Sequence, residues 1–91
     1  MRVIGEVPHP KYKITVFSMN ERLSVKIEDK LLEQIYKFRD GTGINNTADV
    51  TALLDEAFMQ KVAITFLQMG QTYFEALEAR TEDEDLKFEI I

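Results

Sequence analysis

The chain has 91 residues, 45% of them hydrophobic and 30% charged, with a formal net charge of -5 and no cysteine. That length makes one domain, 1-91, whose folding buries about 60 to 65% of the surface exposed by the unfolded chain, and the balance is that of a globular protein rather than a disordered one. The absence of thiols excludes disulfides, thiolate metal sites and a cysteine nucleophile. No apolar run reaches the roughly 18 residues of a membrane span, and MRVIGEV lacks the apolar core of a secretion signal, so a cytoplasmic protein without membrane contact is expected.

Residues 1-10 read as an extended lead-in. His9 is the only histidine and stands between Pro8 and Pro10, which fix their own φ and bias the residues before them towards extended geometry. With no second histidine or thiol to share a metal, and no nucleophile or acid at a telling spacing, His9 is expected to be structural.

From Tyr12 to Arg39 apolar residues alternate as in a strand with one buried face. Three strands fit: YKITVFSM, RLSVKIE and LLEQIYKFR, joined by two-residue loops at Asn20-Glu21 and Asp29-Lys30. This antiparallel meander, residues 11-39, sets Ile14 opposite Ile27, Val16 opposite Val25, Ile27 opposite Leu32 and Leu23 opposite Tyr36. On the other face Lys13 falls opposite Glu28 and Lys26 opposite Glu33, pairs worth roughly 0.2 to 1 kcal/mol each.

Residues 40-46 are a loop, with Gly41 and Gly43 permitting positive φ. Asn46 or Thr47 can cap a helix whose first turn holds Asp49. Val50, Leu54, Phe58, Val62, Phe66, Met69, Tyr73 and Leu77 then recur at spacings of three and four, which predicts a helix over 47-80; Leu53, Ala57, Ile64, Leu67 and Phe74 widen the stripe. Such a helix would run about 50 Å against strands of about 25 Å. Either it breaks, with Asp55 and Gly70 as the candidate points, or its overhang packs against a second copy. The second copy is favoured, with Phe66, Met69, Tyr73, Phe74 and Leu77 as the interface. In the tail, 81-91, four consecutive acids read as a solvated linker, and the last six residues alternate as a further short strand would.

Charge is split along the chain: residues 1-39 hold eight Lys/Arg against five Asp/Glu, and residues 40-91 hold three against eleven. Such polarity suits head-to-tail contact or a basic partner. The outer sheet face lines up Phe17, Ser24 and Ile35 with Lys13, Lys26, Arg22 and Lys37 around them, a surface that a second subunit or single-stranded nucleic acid could use; the acidic pI of about 4.8 counts against nucleic acid. Asp55, Glu56, Glu75 and Glu78 have no histidine beside them on the helix and read as a solvated face rather than a di-metal site. No phosphate loop, nucleophile elbow or zinc-protease pattern occurs, so neither catalysis nor a cofactor or metal is expected.

The run IGEVPHPKYKITVFSMNERLSVKIEDKLLEQIYKF, residues 4-38, is similar to a group of small bacterial proteins that open on an IPHP-like segment, pass through a strand with an Asn-bearing turn and carry a LEQ-type third strand. The resemblance implies a bacterial origin and a shared fold, and carries no activity with it. The expectation is therefore α+β: a three-stranded meander backed by a long C-terminal helix, serving as a non-enzymatic, homodimeric protein-interaction module. A single-stranded nucleic-acid binder is the alternative.

Overall fold

The computed structural model describes residues 1 to 90, with side chains described for residues 1 to 80. The expected α+β architecture is present, with one strand more than expected. Four strands, β1 (Arg2–Val7), β2 (Lys13–Met19), β3 (Arg22–Asp29) and β4 (Leu32–Lys37), are followed by two helices, α1 (Thr47–Leu53) and α2 (Glu56–Ile90). The strands form one antiparallel sheet in the order β1-β2-β3-β4.

β1 replaces most of the extended lead-in. Its ladder with β2 is interrupted between Val3 and Gly5, so that Val3 pairs with Phe17 and Gly5 with Val16. The extra residue, Ile4, is half-buried and joins the core, because a bulge rotates one side chain out of the alternating order. Gly5 has its own reason to be glycine: a Cβ there would lie 3.3 Å from Cγ2 and Oγ1 of Thr47, at the start of α1. Gly5→Val is expected to lower the unfolding free energy by about 1 to 3 kcal/mol through overpacking. A urea midpoint equal to that of the unmodified chain would contradict this close approach.

The first hairpin has the expected register, with Lys13 opposite Glu28, Ile14 opposite Ile27 and Val16 opposite Val25. Its loop residues Asn20 and Glu21 both take positive φ, 53° and 64°, as a turn that follows the strand twist requires. The second hairpin differs by two residues. The loop is Lys30-Leu31, so Tyr36 lies opposite Val25 rather than Leu23, Gln34 rather than Leu32 opposite Ile27, and Ile35 rather than Glu33 opposite Lys26. A slip of two preserves every side chain's face, which is why the apolar alternation does not detect it. The adopted register lets β4 engage the helix: the Gln34 side-chain amide donates to the Val62 carbonyl at 3.0 Å, and Tyr36 meets Phe58 edge-on at 5.4 Å while donating its hydroxyl to Gln34. Glu28 and Glu33, a like-charged pair, face each other as the cost of this arrangement.

The core lies between the sheet and the helices. Ile14, Val16, Leu23, Val25 and Ile27 supply the sheet side, with Val50 from α1 and Val62 and Phe66 from α2. Asn46 caps α1, its side chain accepting from the Asp49 backbone at 2.8 Å. The helical run breaks at one of the two expected points. Leu54 leaves helical geometry at ψ 55°, and the Asp55 carboxylate accepts from the Phe58 backbone at 2.8 Å, capping α2. Beyond that break α2 passes Gly70 without interruption. It also continues past Arg80 to Ile90, so the expected helix end at Arg80 is corrected, and helix through Ile90 stands where the sequence left open a short strand. The side chains of the acidic run lie outside the described residues.

Candidate functional site

α2 runs the length of β4 in the opposite direction. Phe58 sits by Tyr36, Val62 by Gln34, and Gly70 close to Leu32. The sheet then ends, while the 35-residue helix goes on; every residue from Gln71 to Arg80 is exposed. A helix of that length is about 52 Å long, whereas the six-residue β4 spans only about 20 Å. The consequence is an elongated molecule, 56 × 29 × 22 Å, with a radius of gyration of 17.8 Å, against about 12 Å for a compact chain of this length.

The five residues expected at the interface separate into two groups. Phe66 is only 5% exposed and stacks at a tilt on Tyr12, ring centres 5.3 Å apart, while Met69 is half-buried against the core. Both therefore belong to the chain's own interior, which corrects their placement on a free surface. Tyr73, Phe74 and Leu77 are exposed. Tyr73 and Phe74 meet edge to face at 5.2 Å, and together with Lys11, Asp29, Lys30, Leu31 and Leu32 they line an open cleft where the helix leaves the sheet.

A second apolar strip runs along the exposed flank of α2, with Ile64 and Leu67 turned away from the buried Val62 and Phe74 at the edge of that cleft. Leu67 is 70% exposed, and Ile64 and Phe74 are each 56% exposed. Leu67 sits about 140° round the helix from the buried Val62. Ile64, Leu67, Gln71 and Phe74 are spaced three, four and three apart, which is the spacing at which one helix meets another in a coiled-coil seam. Leucine and isoleucine so exposed gain nothing from the chain's own fold. Ile64 and Leu67 were visible in sequence only as residues that broadened the stripe.

The helices occupy one face of the sheet and leave the outer face open among the described residues. Phe17 lies opposite Ser24 as expected, but Ser24 then meets Lys37, and Ile35 meets Lys26, so Ile35 is not aligned with the other two. Val3 of β1 adds an exposed apolar side chain opposite Phe17. The Lys26 ammonium stands 5.3 Å from the centre of the Phe17 ring and 3.9 Å from Glu28. Lys13 is exposed, and Glu6, Glu28 and Glu33 share this face at the same end. Net positive charge is therefore confined to the other end, where Arg22, Lys37 and Arg39 surround a cleft with Met19, Leu23 and Phe38.

His9 makes the local contacts of a turn residue. Its Nδ1 accepts from the backbone N–H groups of Lys11 at 3.1 Å and Tyr12 at 3.2 Å, and its ring stacks on Tyr12 at 5.0 Å. Imidazole here replaces the carbonyl that a regular ladder would provide. His9→Ala is expected to cost about 1 kcal/mol of stability, while His9→Asn, which retains a short acceptor, recovers most of it. Equal thermal midpoints for both variants would contradict the capping role.

Among the described residues no group of three or more histidines, cysteines and carboxylates is placed to hold a metal ion, and no helix is long and apolar enough to cross a membrane. Asp55 serves as a helix cap, and Glu75 and Glu78 lie exposed about six turns further along α2. Comparison of the chain with protein-family models, with curated proteins and with solved structures finds no match.

Proposed function

We propose that the chain is a non-enzymatic, cytoplasmic protein-interaction module that acts as a homodimer paired through α2. The observation that carries this reading is the strip of Ile64, Leu67 and Phe74, spaced for a helical partner and left in water by the chain's own fold. A two-fold pair lets the same strip serve both copies. Charge favours the antiparallel pairing: a parallel pair would set Glu75, Glu78 and the run from Glu82 to Asp85 against their own copies, whereas an antiparallel pair centred on the strip brings Glu75 and Glu78 towards Lys61 of the other copy, with the acidic run lying beyond, towards Glu56. Size-exclusion chromatography with light scattering over a hundredfold concentration range tests the reading. A mass that rises to twice that of the chain supports it, and a constant monomer mass removes it.

The runner-up is a single-stranded nucleic-acid binder that uses the outer sheet face. It is favoured by the placement of the Lys26 ammonium against the Phe17 ring on an open surface, and opposed by three glutamates on that face. Fluorescence anisotropy with a labelled oligothymidylate decides it. Binding that weakens steeply with salt supports this reading, and absent binding at low salt discards it.

A further inference from the structure

The cleft at the far end of the sheet is lined by two kinds of group. Arg22, Lys37 and Arg39 supply positive charge, and Met19, Leu23 and Phe38 supply apolar surface, around a space of about 720 Å³. Asp40 lies 3.7 Å from Arg22, with both side chains largely exposed, so this contact holds the guanidinium weakly. A cleft of this composition suits a segment in which acids and large apolar residues follow one another closely. The run of four consecutive acids, Glu82-Asp83-Glu84-Asp85 followed by Leu86 and Phe88, is the most acidic such segment of the chain.

The fold keeps that segment from its own cleft. α2 leaves the sheet at the Lys30-Leu31 hairpin, next to Leu32, whereas the cleft lies at the opposite end, where β4 runs out into Phe38 and Arg39. Residue 82 is about 18 Å beyond Gly70 along a continuous helix, and β4 adds roughly 20 Å in the other direction. Contact within one chain would require α2 to break and fold back.

We infer that the cleft formed by Arg22, Lys37, Arg39, Met19, Leu23 and Phe38 receives the acidic C-terminal run, residues 82 to 88, of a second copy of the chain. The contact joins different patches of the two molecules, so it is heterologous and can extend from pair to pair. It does not depend on the α2 pairing proposed above. Ionic attraction supplies most of its strength, which makes it sensitive to salt.

The test uses full-length chain, an equal mixture of unlabelled and ¹⁵N-labelled protein, treated with a zero-length carbodiimide coupler and analysed by mass spectrometry. At low salt, amide links between Lys37 and a carboxylate of Glu82 to Asp85 are expected, with mixed isotope composition marking them as intermolecular. Raising the salt to about 0.5 M, or the double substitution Arg22→Glu with Arg39→Glu, is expected to reduce them at least tenfold. Leu67→Glu with Phe74→Glu, which removes the α2 seam, is expected to leave them in place. Links that are absent at low salt, that form only within one chain, or that persist unchanged in 0.5 M salt overturn the inference.

Discussion

In about 0.5 M salt, where ionic contacts between exposed groups are screened, Leu67→Glu combined with Phe74→Glu is expected to convert the dimer to a folded monomer and to raise the dissociation constant at least a hundredfold. Both side chains are exposed in the single chain, so charge there removes nothing from the core, and the unfolding free energy stays within about 0.5 kcal/mol of that of the parent compared at concentrations where both are monomeric. In the pair, each position is used twice, and central apolar contacts are worth about 2 kcal/mol or more apiece. Circular dichroism establishes that the variant is folded, and light scattering gives its mass. A folded double variant that still dimerises would move the interface away from the Ile64, Leu67 and Phe74 strip.

Phe66→Ala is expected to behave in the opposite way. Phe66 fills the gap between α2 and Tyr12 and is almost wholly buried, so truncation removes aromatic area and leaves a cavity, at a cost of about 3 to 5 kcal/mol. For a domain of this size that is a large part of the whole stability. Urea unfolding should shift to a much lower midpoint even at concentrations where the chain is monomeric. If Phe66→Ala instead leaves stability unchanged and weakens association, then Phe66 faces the partner and α2 is docked differently.

These two residues show what the sequence could and could not convey. The apolar stripe on α2 is legible because burial recurs every three or four residues, but periodicity does not say which flank meets the chain's own sheet. Phe66 lies in the central stripe and Phe74 about 80° round from it, yet both read as candidates for the same interface; the fold buries the first and exposes the second. The first hairpin could be read to the residue because its loop falls at Asn20-Glu21 as expected and so fixes the register. The second could not, since an apparent Lys26–Glu33 pair agrees with the wrong register, a two-residue slip leaves the faces unchanged and the deciding contacts, Gln34 with Val62 and Tyr36 with Phe58, are tertiary. β1 escaped because its alternation is broken at Ile4 and Gly5 by the bulge, and because the proline pair after it resembles the end of a linker rather than of a strand. Capping by Asn46 and the helix break at Asp55 were both within reach, as they rest on local chemistry: a side-chain oxygen placed three residues before an unpaired N–H.

The outer sheet face has a similar lesson. Alternation correctly places Lys13, Phe17, Ser24, Lys26, Glu28 and Glu33 there, yet Glu6 comes from the unrecognised β1, and the true register of β4 sets Glu33 opposite Glu28 instead of Lys26. Its charge therefore becomes clear only in three dimensions, and it resolves into a mixed end and a basic end rather than one continuous positive surface.

Sedimentation equilibrium of the unmodified chain at micromolar concentration, in about 0.5 M salt to screen exposed ionic contacts, tests self-association through α2 most directly. A mass approaching twice the 10.5 kDa of the single chain, which falls to the single-chain value in the Leu67→Glu, Phe74→Glu variant, is the predicted result. A mass of 10.5 kDa at every concentration up to about a tenth of a millimolar would contradict it.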